Sequence, residues 1–139
     1  MQSNITPQDL SRLLQSEGYK AKIVPDDEGN DEVHSASSGL NWKVRFRTFA
    51  TNASGLSFDL VTWLPDRQDP IGFCNSFNRD FILGKAWYFS ESDEDGDRGL
   101  FLQHHLDLSG GVSEEWLKSE LHNWISIVEA FWRRILELD

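Results

Sequence analysis

Hydrophobic residues recur along this chain at two spacings, and the longer spacing predicts three helices. The first helix is predicted over residues 6–18, where Thr6 and Pro7 are a capping residue and a first-turn proline. Leucines follow at i, i+3 and i+4, which places them on one helical face. Gly18 is a natural end, because glycine readily takes the left-handed conformation after a helix.

The other two helices are predicted in the second half of the chain. Asp69 and Pro70 open a helix in which phenylalanine recurs every four residues, with Gly84 as its stop. Ser113 caps a last helix that runs to about Leu138. The apolar face of this last helix is wide: Leu117, Leu121, Trp124, Ile125, Val128, Phe131, Trp132, Ile135 and Leu136.

The shorter spacing, an alternation of apolar and polar residues, predicts six strands. They cover residues 19–24, 33–37, 40–50, 56–64, 85–90 and 99–108. The serine-rich second strand is weak, and we expect it at an edge of the sheet or as the lead-in to a turn. The element order is therefore α-β-β-β-β-α-β-β-α, which predicts an α+β fold in a single domain over residues 1–139.

Charge and composition narrow the class of function. The chain has 139 residues and a formal charge of −10, which disfavours nucleic acid and anionic membranes as partners. No apolar run approaches the ~20 residues of a membrane span, and residues 1–4 lead us to expect no secretory signal. We therefore expect a cytoplasmic protein with no membrane insertion, and the single cysteine fits a reducing compartment.

Motifs that carry chemistry are missing from the sequence. Asp93, Asp95 and Asp97 lack the glycine and glutamate spacing of a calcium loop and are better interpreted as a hairpin turn. His104 and its neighbour His105 point to opposite faces of a strand, so they cannot share one metal. Cys74 lies on the phenylalanine face and is interpreted as a core residue. The sequence predicts no enzyme, no metal site and no cofactor.

Lys43, Arg45 and Arg47 alternate along the third strand and form a basic stripe in an acidic chain. One interpretation is cross-strand pairing with acids such as Asp59, which contributes little when the pairs are exposed. The other is a docking stripe for an acidic peptide or another partner.

The chain has six tryptophans, and tryptophan is common in binding hot spots. Trp42 and Trp124 are expected in the core. Trp63, Trp116 and Trp132 are harder to place and are candidate partner-binding residues. A homodimer through the last helix or an exposed sheet face is one hypothesis.

Two segments of the second half carry a family resemblance. Asn75-Ser76-Phe77-Asn78 lies on the aromatic helix, and residues 106–115 contain a Gly110-Gly111 turn before the last helix. This pattern resembles the YbjN family of bacterial sensory transduction regulators. The resemblance implies an α+β fold like that of type III secretion chaperones, with a curved antiparallel sheet and helices on one face. It implies structural roles for Asn75, Asn78, Gly110 and Gly111, and no catalytic residue.

Three functions are consistent with these observations. The first is a non-enzymatic regulatory or adaptor protein that binds a protein partner of unknown identity. The second is a secretion-type chaperone that binds a segment of a client protein. The third is a small-molecule sensor or an unrecognised enzyme, either of which would need a pocket between sheet and helices.

Overall fold

Helices and strands follow one another in the predicted order in the computed structural model, which describes residues 5–48, 54–63, 69–81, 83–90, 98–108 and 111–137. The helices are α1 (Pro7–Ser16), α2 (Pro70–Asp80) and α3 (Glu114–Leu136). The strands are β1 (Lys22–Pro25), β2 (Asp31–Ser37), β3 (Leu40–Thr48), β4 (Ser54–Trp63), β5 (Lys85–Ser90) and β6 (Arg98–Asp107). The predicted α+β class is confirmed.

The strands form one antiparallel sheet in the order β1-β2-β3-β4-β6-β5. The chain leaves β4 through α2, enters β5 at the far edge, and returns through β6 between them. Of the two expectations for the second strand, the edge position was wrong, because β2 pairs with both β1 and β3. The lead-in to a turn was confirmed, because β2 ends at Ser37, and Ser38 and Gly39 turn the chain into β3 with positive φ. Val33 of β2 is fully buried, and the Ser35 hydroxyl donates to the Lys20 carbonyl at 2.7 Å. Pairing on both sides outweighs the weak strand propensity of the serines.

All three helices cover one face of the sheet, and the core lies between them. Trp124 of α3 packs on Phe58 of β4, with ring centroids 5.4 Å apart. Phe131 of α3 meets Phe77 of α2 edge-to-face at 5.3 Å. The largest fully buried side chains belong to this layer: Trp124, Phe58, Phe77, Phe131, Leu10, Leu14, Leu56, Leu60, Leu100, Leu102, Leu108 and Leu121. Trp42 and Trp124 are both in this core, as predicted.

Side-chain caps explain where α1 and α3 begin, whereas Asp69, the expected cap of α2, makes no capping hydrogen bond with its side chain. The Thr6 hydroxyl accepts from the Asp9 amide and the Asp9 carboxylate accepts from the Thr6 amide, both at 3.1 Å, which is a complete capping box. The Ser113 hydroxyl accepts from the Trp116 amide at 3.0 Å and caps α3.

The predicted stop of α2 at Gly84 was wrong. The helix ends at Asp80, and Phe81 already has extended backbone. Gly84 instead occupies a turn before β5 with φ +78°, and a Cβ there would lie 3.2 Å from Ile127 Cγ2. The glycine therefore serves the turn and its close approach to α3.

Candidate functional site

The sheet face that points away from the helices is called here the open face. Strand register aligns its side chains in two neighbouring rows that run across the strands. The first, the basic row, consists of Lys22, His34, Lys43, Asp59, Gln103 and Lys85. The second, the apolar row, consists of Val61, Phe101 and Trp87.

Asp59 is the centre of the open face and is only 1% exposed. One carboxylate oxygen accepts from Arg45 Nε. The other accepts from Ser57 Oγ at 3.1 Å and from Gln103 Nε2 at 2.8 Å. A buried carboxylate costs several kcal/mol unless it is paired, so Arg45 is the group that permits Asp59 there.

Gln103 connects this buried carboxylate to an exposed aromatic pair. Its amide oxygen accepts from Trp87 Nε1 at 3.1 Å, while its amide nitrogen donates to Asp59. The Trp87 ring stacks on Phe101 with centroids 4.5 Å apart and planes 9° apart. Trp87 is nevertheless 42% exposed, and Val61 in the same row is 44% exposed. The hydrogen bonds thus hold an apolar surface in a fixed orientation toward solvent.

A depression of about 490 Å³ lies on the open face over β2, β3 and β4, beside the residues that precede β1. Its walls include Lys20, His34 and Lys43. Glu32 accepts from His34 Nε2 at 3.2 Å and lies 3.6 Å from Lys43 Nζ. The Glu32 side chain is only 9% exposed, whereas His34 and Lys43 are far more open to solvent.

The three residues of the predicted basic stripe have different environments in the structure. Lys43 and Arg45 lie on the open face. Arg45 is committed to Asp59, which is the pairing interpretation. Lys43 is directly opposite Asp59 in the register but contacts Glu32 instead. Arg47 is opposite Gly55 in the register, and its side chain lies outside the described part of the chain.

The three candidate tryptophans do not form one surface. Trp116 is 37% exposed in the first turn of α3, and Trp132 is half-buried against the core further along that helix. Their separation of 16 positions corresponds to about 24 Å along a helix. Trp63 of β4 is opposite Gly99 of β6, and its side chain is outside the described part of the chain.

Trp87 is the surface aromatic that the sequence argument did not select. The alternation in residues 85–90 placed it on one face of a strand with Phe89. It could not show which face the helices would cover, because that depends on the pairing of β5 with β6.

The asparagine pair has two different environments. Asn78 donates to the Ala86 carbonyl at 2.9 Å and accepts from the Ala86 amide at 2.8 Å, which ties α2 to β5. Asn75 is exposed on the same helix. Gly111 has φ +86° and donates to the Leu108 carbonyl, and Gly110 lies outside the described residues.

Candidate reactive residues are placed within the packed layer. Burial raises the pKa of the Cys74 thiol to about 11, as expected for a core cysteine. His104 packs on Phe58 with its Nε2 3.6 Å from the Glu120 carboxylate. Among the residues that the structure describes, no group of histidine, cysteine or acidic side chains could hold a metal ion. No helix in this described set is long and apolar enough to cross a bilayer.

The family model of YbjN, described as "Putative bacterial sensory transduction regulator", matches residues 6–137. The chain therefore belongs to the YbjN family, and the resemblance predicted from its sequence is confirmed. No curated protein matches the chain.

Two solved structures are similar in fold. One is the "Crystal structure of YbjN, a putative transcription regulator from E. coli", with a TM-score of 0.66 and 13% identity over 91% of this chain and 88% of that chain. The other is an uncharacterized protein from Methanothermobacter thermautotrophicus, with a TM-score of 0.59 and 13% identity over 95% of this chain and 98% of that chain. At this identity the likeness concerns the fold alone.

Proposed function

We propose that this chain is a non-enzymatic regulator that acts by binding another protein through the open face of its sheet. The family to which it belongs is described as regulatory. The observation that carries the proposal is the apolar row, in which the side chains of Val61 and Trp87 are exposed to solvent outside the core.

The apolar row has the properties of a binding hot spot. Tryptophan is among the residue types enriched at the energetic centres of protein interfaces. Trp87 is held by its stack on Phe101 and its hydrogen bond to Gln103, so little side-chain entropy remains to be lost on binding. A rigid exposed aromatic favours recognition of a partner over a role in folding.

The dense packing between sheet and helices favours a protein-binding regulator over a small-molecule sensor. The described side chains there are large and apolar, and Trp124, Phe58 and Phe131 are completely buried. A sensor with its pocket in that layer needs polar groups around an enclosed cavity. The proposal therefore places recognition on the outside of the sheet.

The test is affinity capture from a lysate of the native host with a matched pair of variants. Val61→Glu places a charge in the apolar row. Ile71→Glu makes the same change on α2, where Ile71 is also exposed. We expect a dominant protein to be captured by the wild type and by Ile71→Glu, and lost with Val61→Glu. Capture that both variants retain, or both lose, would refute the open face as the binding surface.

A further inference from the structure

Lys22 of β1 and Lys43 of β3 are each directly opposite His34, which lies between them on β2. Opposite charges in cross-strand pairs stabilise a sheet, and neither of these two pairs contains an acid. The chain has 23 acidic and 13 basic residues, so acidic partners for these positions were more available than basic ones. Glu32 is an acidic partner for His34 and Lys43, but no described ion pair includes Lys22, and departures from local rules are expected at functional or strained sites.

The charges around these residues do not cancel. Lys20 and Lys43 line the depression, Lys22 lies beside His34 in the register, and Glu32 contacts only Lys43 and His34 of these residues. Asp59 borders the depression as well, but its charge is matched by Arg45. The depression therefore has a surplus of positive charge in a chain whose net charge is −10, whereas the acidic residues Asp26, Asp27, Glu28 and Asp31 lie at the opposite end of β1, in and beside the loop to β2.

The spacing of the two rows sets the dimensions of an occupant. Adjacent strands lie about 4.8 Å apart, so six strands span about 24 Å. The basic and apolar rows are two residues apart along each strand, or about 7 Å. About 7 extended residues or about 16 helical residues would cross the sheet.

From this charge complementarity we propose that the partner presents an acidic–apolar segment that lies across the strands. The inference rests on the proposed function and adds the chemistry of its partner. Carboxylates of the segment contact Lys20, Lys22 and Lys43 over the depression. Its apolar side chains cover Val61 and Trp87 at the other end of the open face.

Peptide display can select an occupant of the open face while the natural partner is still unidentified. A library of random peptides about 16 residues long, enough to span the sheet as a helix, is selected on the wild-type chain. The enriched peptides are then titrated by fluorescence anisotropy. The test variant is Lys22→Gln/Lys43→Gln. The matched control is Arg12→Gln/Lys118→Gln, which removes the same charge from the surface of α1 and α3, where both residues contact acids.

We expect the enriched peptides to combine an acidic end with an aromatic or aliphatic end. Their affinity falls about tenfold or more in the test variant and by less than about twofold in the control. It also weakens as salt rises from about 50 to about 500 mM. Unchanged urea midpoints of both variants establish that the fold is intact.

Four results of the peptide experiment would overturn the inference. They are enriched peptides with no surplus of acids, no enrichment at all, equal affinity for the test and control variants, and displacement of the peptides by a random-sequence DNA duplex. Sedimentation that shows a wild-type dimer, lost in the test variant, would assign the depression to a second copy instead. A captured protein that depends on Val61 but not on Lys22 and Lys43 would leave the proposed function standing and refute this inference alone.

Discussion

Replacement of Arg45 by methionine should destabilise the protein far more than the same change at Lys43. Both residues are on β3 and face the same side of the sheet. Arg45 donates a hydrogen bond directly to a carboxylate that is 1% exposed, whereas Lys43 lies 3.6 Å from Glu32 and its own side chain is 41% exposed. Strand, face and substitution are matched, so the comparison measures the difference between the direct Arg45–Asp59 pair and the looser Lys43–Glu32 pair.

The magnitude follows from what each carboxylate retains. Without Arg45, Asp59 keeps two neutral donors, Ser57 and Gln103. Breaking a fully buried pair costs about 3–5 kcal/mol, and water can enter where the partly exposed arginine stood, so we expect about 2–3 kcal/mol. For Lys43→Met we expect at most about 1 kcal/mol, because Lys43 is 3.6 Å from Glu32, its side chain is 41% exposed, and Glu32 keeps its contact with His34.

Urea unfolding at pH 7, followed by far-UV circular dichroism, measures the difference. With a slope typical of small proteins, the Arg45→Met midpoint falls by about 1–2 M. The double variant Arg45→Met/Asp59→Asn removes the buried charge and should recover part of the loss. Equal midpoints for Arg45→Met and Lys43→Met would refute the reasoning. A double variant less stable than Arg45→Met would show that lost packing, not an unpaired carboxylate, sets the cost.

Three further predictions concern the packing of the helices. Asn78→Ala removes two hydrogen bonds to Ala86 and should lower the free energy of unfolding in urea by about 1–2 kcal/mol. Asn75→Ala on the same helix should lower it by less than about 0.5 kcal/mol, and equal losses would contradict the tie between α2 and β5. Hydrogen bonds from Arg79 and Arg134 lower the pKa of Asp80 from 3.8 to about 2, so its contribution to stability is present above the unfolded value and is lost as pH falls through that window. The urea midpoint should therefore fall less steeply between pH 5 and pH 2 in Asp80→Asn than in the wild type. Identical slopes would show that Asp80 does not contribute to the loss of stability at low pH. Because the pKa of Cys74 is about 11, its thiolate is scarce at pH 8, and alkylation by iodoacetamide should be slow until urea unfolds the chain; rapid labelling of the folded protein would contradict its burial.

The element order was predictable because local signals agreed with the final fold. Thr6 and Ser113 cap the helices they were expected to cap. The alternation of Trp42 and Val44 with Lys43 and Arg45 matches the buried and open sides of β3. These signals lie within a few residues of one another, so they do not depend on which strands pair.

The open face was not predictable because it depends on pairs that are distant in sequence. Gln103 reaches Asp59 from 44 positions away. The basic row joins Lys22 to Lys43 through His34, and no local pattern connects them. The stripe along β3 was visible in the sequence, whereas the row across the strands needed the register.

The central claim is that partner binding takes place on the open face of the sheet. The most direct measurement is the footprint of the captured partner, or of an enriched peptide, in the amide ¹H–¹⁵N NMR spectrum of this chain. We predict that the largest shifts fall on β3, β4 and β6 around Lys43, Val61 and Gln103, and on the indole N–H of Trp87. Shifts confined to α1 and the first turn of α3 around Trp116, with the signals of the sheet unmoved, would contradict the account.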